Sequence, residues 1–451
     1  SDLMAATDTL KKTSVTGSVN YRAYHCRTGQ GTDMNTRIHR LRRLRSMAAA
    51  TVAGIALATI PIPVFSQAAS GSGAIMSIEQ EGSYGIEAMR KSIPSFFEMY
   101  KAPSPVYPVR QYAVRFGSTD FDGSPVVIHA RLFVPVVPES RLLPVYVFAS
   151  GTTGIGDNCA PSLEQPETKR WGWYTQNMLA YASQGFIVMF PDYTGFNDPD
   201  RPQRYFSKRA EGRMMLDAIR AALSAFPVAG TGASPSKAVF TAGYSQGGHA
   251  AMAAADLRAT YAPETPLAGV VTYGSTNDVE ALVREGVAYA PLIFYSYLKM
   301  YGKEEIQPDR YLQDRWLPTF EKDASTMPID EFQAYYGYDY KTVYRPEFSS
   351  ALYAGALGDS FPALHARLTE NHTGLSGHGL PALVVQGDAD FIASTTSQTR
   401  FVTALRNKGS TVRYLIFPKA SHRYTRMAGF DASILWMKEQ TEALGYVWPT
   451  D

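Results

Sequence analysis

Cysteine is nearly absent from this chain: Cys26 and Cys159 are the only two among 451 residues. A cut that removes Cys26 with the N-terminus leaves a single thiol, which excludes a disulfide framework and a cysteine-built metal site in what remains. Net charge is scarce too, 43 Lys and Arg standing against 41 Asp and Glu. The surplus is confined to residues 1–68, where nine basic side chains face three acidic ones, and the rest of the chain is slightly acidic. A basic face for nucleic acid is therefore missing beyond residue 68. Internal repeats and low-complexity stretches are lacking as well. What is present, 45% hydrophobic and 19% charged residues, is the composition of a globular protein with a large core.

The basic N-terminus follows a pattern. Met34-Asn35-Thr36-Arg37 opens a positively charged segment, residues 47–60 are apolar, Pro61 and Pro63 interrupt them, and Ser66-Gln67-Ala68 offers small residues for cleavage. That order predicts a secretory signal peptide over 34–68, with 1–33 an upstream segment of no folded role. The prolines break the apolar run short of a membrane span, so the mature chain is expected to be secreted or periplasmic and not membrane-spanning.

The stretch around which the chain is organised is 237–259. Ala238-Val239-Phe240-Thr241-Ala242 reads as a buried strand, and the alanine-rich run from Gly248 reads as a helix. Between them stands Gly243-Tyr244-Ser245-Gln246-Gly247, a G-x-S-x-G pentapeptide on a strand-to-helix turn. A nucleophile on so tight a turn has a strained backbone, and the residues two before and two after it must lack side chains that would collide. Gly243 and Gly247 meet that need. The helix N-terminus aims its free N–H groups at whatever Ser245 attacks, and the Gln246 N–H becomes one oxyanion donor.

Upstream, residues 71–103 read as helical, with Ile86, Met89, Ile93, Phe96 and Phe97 as the apolar positions. Strands follow at 109–116, 126–134, 143–149, 185–190 and 267–273, with an amphipathic helix at 211–223. Strands alternating with helices predict a mostly parallel sheet covered on both faces. The alternation stops over 274–379, an irregular, helical, aromatic-rich stretch that includes Tyr289, Phe294, Tyr311, Trp316 and Tyr336. Inserted between strands whose ends face the elbow, it reads either as a cap lining an apolar pocket or as a small packed subdomain. The sheet resumes at 380–387, then a helix at 395–408, a strand at 412–417 and a helix at 432–443 complete a core made of 69–273 and 380–451.

The glycine-rich loop over 150–162 could cradle a phosphate, but it lacks the lysine of a P-loop and has Cys159 where a dinucleotide fingerprint needs its third glycine. Upstream of an elbow it instead supplies a second oxyanion N–H, from about Thr152. A serine hydroxyl needs a base to take its proton, and the base needs a carboxylate to hold its tautomer. Ser245, Asp390 and His422 follow one another in the chain, each after a predicted strand. His249 and His129 are rivals for the base, the first reading as a helix residue packed under the elbow and the second as mid-strand; Asp388 and Asp192 are rivals for the acid. His365, His372 and His378 lack tight ligand spacing, so no metal site is expected from them.

These motifs resemble the α/β-hydrolase superfamily and, more narrowly, the secretory lipase family of the fungal lipase A type. The resemblance rests on Gly151-Thr152-Thr153-Gly154 running into Asn158-Cys159-Ala160-Pro161-Ser162, on the elbow with Gly248, on Thr369-Glu370-Asn371, and on Gly387-Asp388-Ala389-Asp390 before His422. It spans roughly 83–446, with Ser150 where relatives often carry histidine and Asn158 where some carry aspartate. It implies an α/β-hydrolase fold, a mostly parallel central sheet with helices on both faces and an inserted, mainly helical cap. It further implies Asp390 as the acid, hydrolysis of small-molecule carboxylic esters or acylglycerols, and no cofactor. A capped serine peptidase and a noncatalytic binding protein are the alternatives on the same scaffold.

Overall fold

The structure is a computed structural model that describes residues 72–165, 168–169 and 171–449. The upstream segment and signal peptide expected over 1–68 lie outside the described residues. The described residues form nine strands, β1 (Ile75–Tyr84), β2 (Val109–Thr119), β3 (Pro125–Pro135), β4 (Arg141–Ala149), β5 (Ile187–Pro191), β6 (Ala233–Tyr244), β7 (Gly269–Tyr273), β8 (Ala382–Gly387) and β9 (Val412–Phe417). They form one sheet in the order β1-β2-β3-β5-β4-β6-β7-β8-β9. The pairs from β1 through β3 to β5 are antiparallel, and those from β5 through β4 to β9 are parallel.

The central strands are mainly apolar because both sheet faces are covered: β5, β7 and β8 are buried at every position. On one face lie the helices Lys208–Ser224 and Gln246–Tyr261, contributing Met214, Met215, Ile219, Ala250, Met252 and Ala254 to the core. The helices Tyr174–Ser183 and Phe430–Ala443 cover the other, with Tyr181, Phe430 and Trp436. The alanine-rich sequence after the elbow matters here because the two helices of the first face come very close. A Cβ on Gly212 would lie 2.8 Å from the Ala253 carbonyl oxygen.

Two elements depart from the sequence reading. Residues 75–84 are not part of a helical lead-in but form β1, an edge strand. Its register against β2 shifts between Ile75 and Ser77 and again between Gln80 and Gly82, which erases the period-2 alternation that would mark a strand. Helices begin only at Ile86–Ser92 and Pro94–Phe97. The helix Tyr174–Ser183 is buried nearly all round, so it carries no amphipathic stripe to announce it.

Between β7 and β8 the chain runs through a series of helices from Val279–Glu285 to Pro362–Glu370. Their aromatics fill a core of their own, in which Phe294, Tyr297, Tyr311, Phe332, Tyr336 and Phe348 are buried. Trp316 and Phe332 stack on opposite sides of the same tyrosine, Tyr336, each with ring centroids 4.4 Å away. Residues 325–329 of this region lie on the glycine-rich loop: the Ile329 N–H donates to the Thr153 carbonyl at 3.0 Å and the Asn158 amide to the Thr326 carbonyl at 2.9 Å. None of the described helices is long and apolar enough to cross a membrane.

Candidate active site

Ser245 is the single residue between the end of β6 and the helix Gln246–Tyr261, with φ 54° and ψ −116°. Such a conformation costs an L-residue on the order of 1–3 kcal/mol, so the surroundings must impose it. The Ser245 N–H donates to the Tyr273 carbonyl of β7 at 2.9 Å. The flanking glycines are needed for space. A Cβ on Gly243 would sit 2.0 Å from the Gly247 carbonyl group, and one on Gly247 would sit 2.0 Å from the Ala149 carbonyl oxygen at the end of β4. Gln246 is the first helical residue, so its N–H has no intrahelical acceptor.

The turn after β8 presents Asp390. Its Oδ1 accepts the Ile392 and Ala393 N–H groups, both at 2.9 Å, and its Oδ2 lies 2.7 Å from His422 Nδ1. A carboxylate that only accepts places the proton on Nδ1 and leaves Nε2 with its lone pair free to take another. His422 Nε2 is buried and has no hydrogen-bond partner among the described residues, so no bond to Ser245 Oγ is formed here. The imidazole packs on Tyr244, the residue before Ser245, with ring centroids 5.0 Å apart. Ser245, Asp390 and His422 thus follow the C-terminal ends of β6, β8 and β9, exposed by only 5%, 6% and 5%.

The rival residues are engaged elsewhere. Asp388 Oδ1 accepts the Lys419 N–H at 2.5 Å at the surface, and Asp192 holds the Ser162 N–H at 2.8 Å and its hydroxyl at 2.5 Å. His249 is fully buried on the elbow helix, and His129 is half-buried in β3. His365 pairs with Glu280 at 2.8 Å, and among the described residues no group of three or more His, Cys, Asp or Glu side chains is placed to hold a metal ion. Burial pushes the Cys159 thiol up to about 12, so it packs as a small apolar side chain.

Several residues at the site have no counterpart in the sequence reading. Tyr174 accepts the Gly151 N–H at 2.8 Å, Tyr193 donates to the Ser150 carbonyl at 2.5 Å, and Tyr205 shares a 2.8 Å bond with the Thr152 hydroxyl. Three phenols therefore hold the loop that carries Thr152. The buried Arg426 guanidinium, one turn past His422, lies 4.5 Å from the Tyr244 ring and 5.0 Å from that of Tyr174, tying the elbow strand to the same loop support. Gly274 follows β7 with φ +52°, and a Cβ there would come within 3.1 Å of both Asp390 Oδ2 and His422 Nδ1. A glycine directly after a predicted strand end was the one available signal among these.

Asp192 supplies a pH prediction. Burial, only partly offset by its bonds to Ser162 and Asn197, pushes its carboxyl from 3.8 up to about 6. The folded chain then holds this proton more tightly than the unfolded chain does. The associated stability is complete below the unfolded value of 3.8 and is lost as pH rises through about 6. Asp192→Asn is expected to remove that slope. Between about pH 4 and pH 7 the wild type should lose on the order of 2–3 kcal/mol relative to the variant, read by chemical denaturation. A difference that stays constant across that range would contradict the assignment.

The sheet order, the helices on both of its faces and the elbow at the end of β6 define an α/β-hydrolase. The sequence profile of the secretory lipase family matches residues 172–443. The chain belongs to that family, and with it to the enzymes of the carboxylesterase and lipase class. It is 22% identical over 377 residues to Lipase A of Arthroderma benhamiae, a match covering 79% of this chain and 76% of that lipase. It is 26% identical over 275 residues to the secreted triacylglycerol lipase LIP2 of Malassezia globosa, which spans little more than half of each protein, 58% and 57%. A crystal structure of the rice cell wall degrading esterase LipA from Xanthomonas oryzae shares the fold with a TM-score of 0.68 at 19% identity, covering 82% of this chain and 98% of that one.

Proposed function

We propose that the chain is an exported serine ester hydrolase in which Ser245, His422 and Asp390 act as a catalytic triad. Ser245 Oγ attacks the acyl carbonyl while His422 Nε2 takes its proton, and Asp390 holds the imidazole and stabilises its charged form. The Gln246 N–H and one from the Thr152 region bind the oxyanion. His422 returns the proton to the departing alcohol, leaving an acyl-enzyme that water opens by the same steps. The observation that carries this reading is the 2.7 Å contact of Asp390 with His422 beside the strained Ser245 turn. The Ser245–His422 bond closes in the substrate complex, where catalytic contacts tighten.

Carboxylic esters, acylglycerols among them, are the substrate class, in keeping with the secreted triacylglycerol lipase among the relatives. Export rests on the same relative and on the basic-then-apolar pattern of residues 34–68. The region 274–379 acts as the cap, its residues 325–329 lying over the oxyanion loop. A serine-directed organophosphate is expected to label Ser245 one-to-one and abolish ester turnover. Folded, unlabelled protein would instead point to a noncatalytic scaffold. Faster turnover of aminoacyl amides than of nitrophenyl acyl esters would point to a peptidase.

A further inference from the structure

Beneath the elbow lies a second histidine–carboxylate pair that the reaction does not use. His249 and Glu211 are 0% and 1% exposed and face each other with Nδ1 and Oε2 2.5 Å apart. The other ring nitrogen, Nε2, is 2.7 Å from the Asn371 main-chain oxygen. A carbonyl only accepts, so Nε2 carries a proton. Glu211 Oε1 accepts two more N–H groups, from the Phe206 main chain at 3.0 Å and from the Gln246 side-chain amide at 2.8 Å.

The far end of that amide, Gln246 Oε1, faces the Thr152 hydroxyl at 3.5 Å, which shares its 2.8 Å bond with Tyr205. Asn371, in the Thr369-Glu370-Asn371 segment that ends the inserted helices, is anchored in turn. It accepts the Lys208 N–H and donates to the Tyr301 hydroxyl, both at 2.9 Å. A line of hydrogen bonds therefore starts where the insertion meets the core and ends on the two residues assigned as oxyanion donors.

We propose that Glu211 and His249 are positioning residues for the oxyanion hole, holding the Gln246 side chain and, through it, Thr152, so that their N–H groups are preset for the developing oxyanion. The proposal rests on the reading of Gln246 and Thr152 as those donors. A glutamine bonded at both ends of its amide keeps one rotamer, and donors fixed before the reaction need no reorganisation during it. The His249 ring and the two N–H groups on Oε1 give the buried Glu211 carboxyl group hydrogen-bond partners, without which it would be too costly to keep at this depth.

The test uses the full chain with a nitrophenyl acyl ester, and it compares Glu211→Ala, Gln246→Ala and the double variant. Each single change is expected to lower kcat by about 10–100-fold with KM within about threefold, and to weaken a trifluoromethyl ketone inhibitor in parallel, because that adduct uses the same donors. The double variant is expected to lose no more than the worse single, since both act through one side chain. Glu211→Gln keeps an oxygen for the Phe206 and Gln246 N–H groups and can donate to a neutral imidazole, so it should recover most of kcat. A role confined to packing would lower the thermal midpoint and leave kcat of the folded protein alone.

If Glu211→Ala does not fold, Gln246→Ala carries the test by itself, because it leaves the Glu211–His249 contact intact. The proposal is overturned by unchanged kcat in Gln246→Ala, by losses that multiply in the double variant, or by Glu211→Gln being as impaired as Glu211→Ala. Wild-type chain that neither turns over esters nor takes the organophosphate label would overturn the hydrolase reading itself, which keeps the two failures apart.

Discussion

Asp390→Asn is expected to lower kcat on a nitrophenyl acyl ester by about 10⁴-fold while the protein stays folded. Asparagine keeps the oxygen that accepts the Ile392 and Ala393 N–H groups, so the turn after β8 survives. The change falls on Oδ2, which faces His422 Nδ1. An amide nitrogen there donates rather than accepts, which forces the proton onto Nε2 and leaves no lone pair to receive the one from Ser245. Asp388→Asn provides the contrast. Its acceptor for the Lys419 N–H is retained and it sits at the surface, so kcat should stay within about threefold of wild type. Loss of activity in the Asp388 variant with a working Asp390 variant would reverse the assignment.

Gly247→Ala is expected to lower the free energy of unfolding by about 4 kcal/mol or more, or to leave no soluble native protein. The backbone angles of Gly247 are not the reason, since its φ lies outside the left-handed region. The reason is space: the added methyl would meet the Ala149 carbonyl oxygen at 2.0 Å, its carbon at 2.6 Å and the Ser150 carbonyl oxygen at 2.8 Å. All three are main-chain atoms, so no rotamer change relieves the clash, and either β4 or the elbow must move. Gly337→Ala isolates the opposite case. Gly337 has φ +71° with nothing near a built Cβ, so alanine there should cost only about 1 kcal/mol. Similar losses in the two variants, measured by denaturant titration, would remove the steric account of the elbow.

The elbow of the candidate site was legible because its parts are adjacent in the chain. Strand, turn and helix around Ser245 lie within a short run, and the steric rule that demands Gly243 and Gly247 acts over two residues in each direction. The choice of Asp390 over Asp388 was less accessible. Both follow β8, and only the path of the turn decides that one carboxylate reaches His422 while the other meets the Lys419 main chain. β1 escaped detection for a local reason, its two register shifts, and the helix Tyr174–Ser183 for the opposite one, uniform burial.

The order of Ser245, Asp390 and His422 after successive strands, the alternation that builds a mostly parallel sheet, and the glycines the elbow requires were determined by the sequence alone, because each can be read along the chain. Tertiary structure alone decided that Glu211 and His249 meet under the elbow, that Tyr174, Tyr193 and Tyr205 hold the loop that carries Thr152, and that Gly274 leaves room for the Asp390–His422 pair. These contacts join residues far apart in the chain, brought together by the crossing of strands and helices. Hydrogen-bonding groups buried at such crossings are selected by the partner they meet in space, and no period or spacing in the sequence encodes that partner.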